Sequence, residues 1–357
     1  MKYRVISPSD LDAGLMARWV ALQSADPALA SPYFSPEFTA SVGRLRTDAR
    51  VTVIEDGGRV VGFFPFQVGR FGRGRPIGGA LSDFHGLIAE RDAAIPAVEL
   101  LRLSGLTVWE FDHLVASCRS LGGVVGQQSV SPVMDLSSGY EAYAEGRRAA
   151  GSEQIKKTGT LARKLEREHG PAEFAARVTD TAALECLMGW KSQQCMETGT
   201  IDVFGVDWTR RLLYDLQQME SPAFGGMLST LTVRGKLVAA HFGMRSCSTW
   251  HYWFPSYHHE FGKFSPGLVL LLRMAQAANE LRLTRIDLGK GDSFYKSRLA
   301  NAGTPLLEGR VEVPSIPNSV RALWRQAESW IDSGPIARTI GLPIRAIRRW
   351  KRLRRYV

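Results

Sequence analysis

The stretch TWHYWFPSYHHEFGKFSPGLVLLLRMAQAANELRLTRIDLGKGDSFYKSRLA, residues 249–300, decides the fold. Thr249–Tyr257 reads as an aromatic-rich strand, and HHEFGKFSPG reads as a loop. LVLLLRMAQAANELRL is an apolar helix whose start is marked by Ser265, Pro266 and Gly267. The buried run Leu281–Ile286 then feeds a second strand, TRIDLG. Strand, glycine-containing loop, helix, strand is a βαβ-like unit, and the free N–H groups of its helix start suit an anion. The second strand ends in two glycines, two aspartates, a tyrosine and two lysines within ten residues, from Asp287 to Lys296. In an open α/β sheet such strand ends border the ligand crevice, so this cluster is the first candidate site.

Working outward, VTVIEDGGRVVGFFPFQVG from Val51 and MLSTLTVRGKLVAAHFGMRS from Met227 share one plan: strand, tight glycine turn with a basic residue, apolar strand. Aligning Arg59 with Lys236 gives an offset of 236 − 59 = 177 residues, half of the 357-residue chain. Each copy follows a helical, aromatic-bearing segment, SPYFSPEFTASVGRLR before the first and DWTRRLLYDLQQM before the second. A tandem duplication of one α/β domain is the economical reading. The divisions are 1–150, 151–315 and a tail from 316 to 357. Between the copies, EAYAEGRRAAGSEQIKKTGTLARKLEREHG alternates its charges and lacks proline, which favours a bridging helix.

Composition narrows the class. With 45% hydrophobic and 22% charged residues, no membrane-length apolar run and no signal-peptide core, the sequence predicts a globular cytoplasmic protein. Four scattered cysteines, Cys118, Cys186, Cys195 and Cys247, signal neither a disulfide framework nor a zinc site, and no metal is expected. The net charge is +10, but Ile336–Val357 holds seven arginines and one lysine without an acid, so +10 − 8 leaves +2 for the rest. That near-neutral body argues against broad nucleic-acid binding. In the tail, Ile344, Ile347, Trp350, Leu353 and Val357 recur at helical spacing. This basic amphipathic helix suits either the inner face of the plasma membrane or packing on the body.

Gly235–Ala300 resembles the GNAT acyltransferase superfamily, and within it the acetyltransferase-like domain of the CelD/BcsL group, bacterial proteins associated with cellulose and other exopolysaccharides. The resemblance extends from about Ser152 and, more loosely, to GFFPFQVGRFGRGRPIGGALSDFHGLI in the first half. Fem-type aminoacyl transferases share the double-GNAT layout. The fold implied is α/β (α+β): tandem GNAT-like domains with mixed, mostly antiparallel twisted sheets flanked by helices. The resemblance also implies acetyl-CoA or another acyl-CoA as co-substrate, with no permanently bound cofactor. Its pyrophosphate would lie on Gly262, Lys263, Phe264, Ser265, Gly267 and Leu268, where EFGKFSPG replaces the usual Arg/Gln-x-x-Gly-x-Gly/Ala.

Acyl transfer needs a base, oxyanion donors and an acid for the leaving thiolate. Asp292 is the candidate base, Tyr295 the candidate acid, and Lys296 a binder of an acidic acceptor. His241 is a second candidate base, against the alternative of a core histidine. Asp287 reads as a scaffold carboxylate, Tyr252 and Tyr257 as core or pocket wall. Asp83 and His85, in GGALSDFHGLI, would grip the acceptor from the first half, which lacks an FGKFSPG-like loop and is read as non-catalytic. The expected activity is N- or O-acylation of a sugar or lipid-linked glycan precursor by direct attack in a ternary complex. The alternatives are a transferase using aminoacyl-tRNA as donor and a non-catalytic GNAT-like subunit of a polysaccharide synthase.

Overall fold

The computed structural model describes residues 1–121, 124–291 and 293–314. The tail helix expected over 336–357 lies outside the described residues.

The first half runs β1 (Lys2–Ile6), α1 (Ala13–Ala25), α2 (Pro36–Leu45), β2 (Ala49–Asp56), β3 (Arg59–Val68), β4 (Arg73–Pro76), β5 (Ile88–Ala89), α3 (Ala97–Leu103), β6 (Val108–Val115) and β7 (Val124–Asp135). Two helices, α4 (Tyr140–Ala149) and α5 (Gln154–His169), connect the halves. The charge pattern favoured one helix there; Gly151, at φ 79°, breaks it in two. The second half runs β8 (Ala172–Ala175), α6 (Thr181–Thr198), α7 (Asp207–Gln218), β9 (Phe224–Val233), β10 (Lys236–Ser246), β11 (Thr249–Tyr257), α8 (Pro266–Ala277), β12 (Arg285–Asp287), α9 (Phe294–Leu299) and β13 (Ala302–Glu312).

The echo between Val51 and Met227 corresponds to matched antiparallel hairpins, β2–β3 and β9–β10. Both turn through left-handed residues, Gly57–Gly58 in the first and Arg234–Gly235 in the second. The strands form one mixed sheet in the order β1-β2-β3-β4-β6-β13-β7-β12-β11-β10-β9-β8, with β5 beside β3. The order is palindromic in role, because β1 to β4 on one side answer β8 to β11 on the other. At the centre the last strands are exchanged: β13 pairs with β6 of the first half, and β7 pairs with β12 of the second. A boundary at residue 150 therefore does not separate two sheets. Among the described residues two strand pairs are parallel, β4–β6 and β11–β12, and both are closed by a crossover.

One apolar cluster spans both halves, from Trp19, Phe38 and Phe63 to Leu184, Leu212 and Phe242. A second cluster lies under α8 and includes Trp250, Phe264, Leu271 and Ile286. The apolar run of α8 is thus core, with Leu270, Leu271 and Met274 fully buried. The strand after it is shorter than Leu281–Ile286 suggests. Leu283 N–H bonds back to the Ala278 carbonyl and Arg282 N–H to that of Asn279, with Arg282 left-handed at φ 58°, so the helix end consumes these residues before β12 begins at Arg285.

Candidate functional site

β11 and β12 pair over three positions, Thr249 with Arg285, Trp250 with Ile286 and His251 with Asp287. Beyond this last pair β11 continues to Tyr257 while the other chain turns away at Gly289, where φ is 71°. The two parallel strands therefore part at His251 and Asp287. On its other side β11 bulges: Phe242 faces Phe254 but Met244 faces His251, so Tyr252 and Trp253 lie opposite Gly243 alone. A Cβ on Gly243 would stand 2.0 Å from the His251 carbonyl oxygen, so only glycine fits there. The bulged Trp253 N–H donates to Nε2 of His241 at 3.1 Å.

The imidazole of His251 is fully buried between two carboxylates. Its Nε2 lies 2.9 Å from Asp83 Oδ2 and its Nδ1 3.5 Å from Asp287 Oδ1. Asp287 Oδ1 also accepts from Ser131 Oγ at 2.7 Å and from the Gly289 N–H at 2.9 Å. Burial pulls the His251 pKa down, but hydrogen bonding to Asp287 and Asp83 and their charges outweigh it and raise it to about 9. Burial raises the Asp83 pKa, and the hydrogen bond and charge of His251, with smaller help from His113 and Lys296, bring it below its ordinary value. The result is an imidazolium between carboxylates. Tyr33 closes the arrangement edge-on to the His251 ring at 5.0 Å, its own pKa pushed well up by burial and by both aspartates.

Asp83 arrives from the first half. Gly78 and Gly79, both at positive φ, turn the chain after β4, and a Cβ on Gly78 would meet the Phe38 ring at 2.9 Å. The loop is then tied to β6, since His85 N–H bonds the His113 carbonyl and Val115 N–H that of His85. Gly289 lets the halves meet, because a Cβ there would stand 3.2 Å from Asp83 Oδ2. Lys296 joins them from α9, donating to the carbonyls of Gly289 at 2.9 Å and Lys290 at 3.2 Å.

The predicted residues divide between this cluster and its surroundings. Asp83, Asp287 and Lys296 come together in it. Asp292 lies outside the described residues. Tyr295 is half-buried against the second apolar cluster, and burial raises its pKa. His241 is fully buried and stacks on Tyr252 at 4.5 Å; burial first and His251 second hold its pKa well down. Its observed partner is the bulge. Tyr252 is buried, with its hydroxyl 3.5 Å from the Gly267 carbonyl, and Tyr257 is 45% exposed. His85 is buried beside Asp112 and His113, its pKa lowered to about 4 by burial.

The loop before α8 places its residues differently from one another. Phe264 is fully buried in the core. Lys263 pairs with Glu168 at 3.0 Å. Gly262 and Gly267 flank the Tyr257 ring, from which a Cβ would stand 3.6 Å at the first and 3.7 Å at the second. Ser265 is left-handed at φ 49°, and its carbonyl accepts the N–H groups of both Leu268 and Val269. Pro266 has no N–H, so in this first turn Gly267 carries the N–H left for an anion.

His251, Ser131 and Tyr33 were not singled out from sequence. Counting from the sequence-read starts, Thr249 and Thr284, sets His251 opposite Ile286; only the observed start of β12 at Arg285 brings it opposite Asp287, so no signal in the sequence marked the histidine. A cavity of about 580 Å³ lies at the opposite ends of these strands, lined by Gln23, Asp26, Asp135, Cys247 and Arg285 among others. None of the predicted site residues lines it.

Residues 152–297 match the family model described as Acetyltransferase (GNAT) domain. Among curated proteins no sequence matches the chain. Among solved structures, FemX is similar with a TM-score of 0.60 at 10% identity, covering 90% of this chain and 100% of that one. A tandem GNAT protein from the clavulanic acid biosynthesis pathway has a TM-score of 0.50 at 10% identity, covering 88% and 99%. The C-terminal DUF2156 domain of a protein assigned as lysylphosphatidylglycerol synthetase from Agrobacterium fabrum has a TM-score of 0.51 at 11% identity, covering 86% and 95%. Identities this low speak for the fold alone. Residues 152–297 are thus similar to a GNAT acetyltransferase domain, and the chain has a tandem α/β fold of the kind found in GNAT and Fem structures.

Proposed function

We propose that the chain is an acyltransferase whose reaction centre is the gap between β11 and β12, with Asp83 orienting the acceptor. The supporting observation is the Asp83 carboxylate, 27% exposed and 2.9 Å from His251, whose hydrogen bond and charge lower its pKa, held at the point where two parallel strands part. An amine or hydroxyl acceptor sheds a proton as the new bond to the acyl carbon forms. Asp83 is placed to orient that proton and receive it. The His251 imidazolium balances the charge of Asp83 and Asp287 and so keeps the carboxylate ionised. Lys296 supplies positive charge beside it for an anionic group of either substrate. Beyond His251 the edge of β11 has no β12 partner, and its backbone N–H groups suit a developing oxyanion. Direct attack in a ternary complex fits this set. Ser131, the aliphatic hydroxyl beside Asp287, is buried and donates to it, which leaves it no role as nucleophile.

The donor in this reading is acetyl-CoA or another acyl-CoA, and the acceptor is a sugar or lipid-linked glycan precursor of exopolysaccharide or envelope synthesis. The GNAT match supports the donor, and the CelD/BcsL resemblance supports the acceptor and a cytoplasmic site of action. A second reading, an aminoacyl-tRNA donor, draws on the α8 start, where Lys263 is engaged by Glu168 and Leu268 and Val269 N–H groups are spent on Ser265. Titrating acetyl-CoA calorimetrically into the full chain at physiological ionic strength, with release of free thiol measured in the presence of an aminohexose, separates the two. Saturable binding retained by Asp83→Asn, with thiol release lost in that variant, supports the first reading. Absence of acetyl-CoA binding in folded protein, with label transferred from charged tRNA, would replace it with the second.

A further inference from the structure

Outside the cluster at His251, the first half carries an exposed apolar pair at the end of the sheet where β3 turns into β4. Phe71 tops that turn with 73% of its surface exposed, at a φ of 61° that a phenylalanine rarely adopts. The turn is tightly tied. Gly69 N–H bonds the Arg73 carbonyl at 2.7 Å, Thr107 N–H the Gly72 carbonyl at 2.8 Å, and the Thr107 hydroxyl the Phe71 carbonyl at 2.9 Å. A ring held outward in an unfavourable backbone conformation adds little packing to its own fold, so its position asks for a partner outside it. Leu103, 48% exposed, ends α3 on the same rim, since a Cβ on Gly72 would stand 3.0 Å from the carbonyl oxygen of Gly105, two residues further on.

The charge around the pair is positive. The Arg70 guanidinium lies over the Phe71 ring at 5.4 Å, and neither Arg70 nor Arg102, in the last turn of α3, meets a carboxylate among the described residues. Behind them Arg46 and Arg75 share one carboxylate, Asp48, at 3.0 and 3.2 Å, which leaves one positive charge over. The nearby acids are engaged: Glu110 by Arg73 at 2.9 Å and Glu312 by Arg310 at 2.8 Å, while Glu99, one turn back on α3, acts on Tyr3 of β1. The chain also leaves the described fold here. β13 ends at Glu312, Val313 N–H bonds the carbonyl of the same Thr107, and beyond residue 314 follow 357 − 314 = 43 residues that include the +8 segment Ile336–Val357. We propose that this rim is where the protein meets an anionic lipid surface, with Phe71 and Leu103 entering the headgroup layer and Arg70 and Arg102 beside the lipid phosphates. An apolar anchor or a basic segment alone holds a bilayer weakly and reversibly, whereas the two together give a lasting attachment. Docking of this kind is independent of the reaction proposed above.

Flotation of the full chain with vesicles of phosphatidylcholine, with and without phosphatidylglycerol, reads the partition coefficient. Binding is expected to need phosphatidylglycerol and to weaken as salt is raised. Phe71→Asn, with asparagine tolerating the left-handed backbone there, should lower the coefficient about 10-fold, Leu103→Gln by a similar factor and Arg102→Gln roughly 5-fold. Circular dichroism and an unchanged urea midpoint show that each variant is folded. Phe294→Asn is the matched control: that ring is 69% exposed at the start of α9, with the Arg298 guanidinium over it at 4.9 Å, and its loss should leave binding unchanged. Failure of the full chain to bind either vesicle, or equal binding to both, overturns the assignment. So does phosphatidylglycerol binding that survives Phe71→Asn and Leu103→Gln together, because the basic segment then acts alone. A loss with Phe294→Asn as large as that with Phe71→Asn has the same consequence, since no particular rim is then used.

Discussion

The two halves share one plan and differ at the place where chemistry would occur. In the second half β10 carries His241 and Gly243, which hold and accommodate the bulge in β11. The offset of 177 puts Phe64 and Phe66 at those positions in the first half, since 241 − 177 = 64 and 243 − 177 = 66, and both are buried apolar residues. There β3 pairs with β4 without a register shift. The crossovers diverge as well: α8 is a 12-residue helix and α3 a 7-residue one, preceded by the long loop that carries Asp83. One half keeps the parted strands, and the other has turned its crossover into an arm that reaches them.

That division predicts its largest effect at Asp83. If the arm orients the acceptor, Asp83→Asn lowers turnover on the order of 10² to 10⁴-fold while donor binding persists. It also removes one of the two carboxylates holding the His251 proton, so the His251 pKa falls from about 9 toward the ordinary 6.5, readable by imidazole NMR titration. Turnover within a factor of two of the parent would detach the first half from the chemistry. The same contact sets a pH window. Because the folded pKa of His251 is raised, its stabilising contribution is complete below 6.5 and is lost as pH climbs through about 9. Chemical denaturation of the parent should show that decline, and the Asp83→Asn variant should show less of it.

The next effect is on stability and contrasts matched strands. Gly243→Ala places a methyl group 2.0 Å from the His251 carbonyl oxygen, a backbone atom that cannot turn aside. The expected loss is about 3 kcal/mol, with the bulge displaced. Gly62→Ala in β3 meets Ala89 Cβ at 3.0 Å and Ile88 O at 3.3 Å, a tighter fit than usual but one that a short edge strand, β5, can relieve. Its expected loss is about 1 kcal/mol. Equal losses in urea denaturation would mean that the bulge is no more constrained than the regular hairpin.

How much of this was readable beforehand depends on the range of the interaction. The hairpin echo and the start of α8 are local signals of turn residues and apolar period, and both correspond to observed elements. The polar run at the end of β12 contains Asp287 and Lys296, which the fold brings beside Asp83 and Gly289. His251 stayed hidden because it sits in an apolar strand and acquires its role from partners 168 and 36 residues away, Asp83 and Asp287. The strand exchange was equally illegible, since β7 and β13 carry nothing in their own residues that says which half they will pair with. The Leu281–Ile286 run misled for a local reason, its first residues being taken by the end of α8.

The smallest predicted effect tests the loop before α8 against its sequence appearance. Lys263 stands where the GNAT resemblance expects a pyrophosphate contact, and from sequence it is a ready cation. In the fold its ammonium lies 3.0 Å from Glu168 and over the Phe264 ring at 4.7 Å, on a side chain 60% exposed. An exposed pair of this kind is screened by solvent, so losing it hardly changes stability. If the donor is held mainly by Gly267 and the walls of the gap, Lys263→Met alters acetyl-CoA affinity less than about 3-fold. A loss near 100-fold, measured by the same calorimetric titration, would mean that the lysine leaves Glu168 for the donor. The second half would then bind its anion through a side chain and not through the start of its helix.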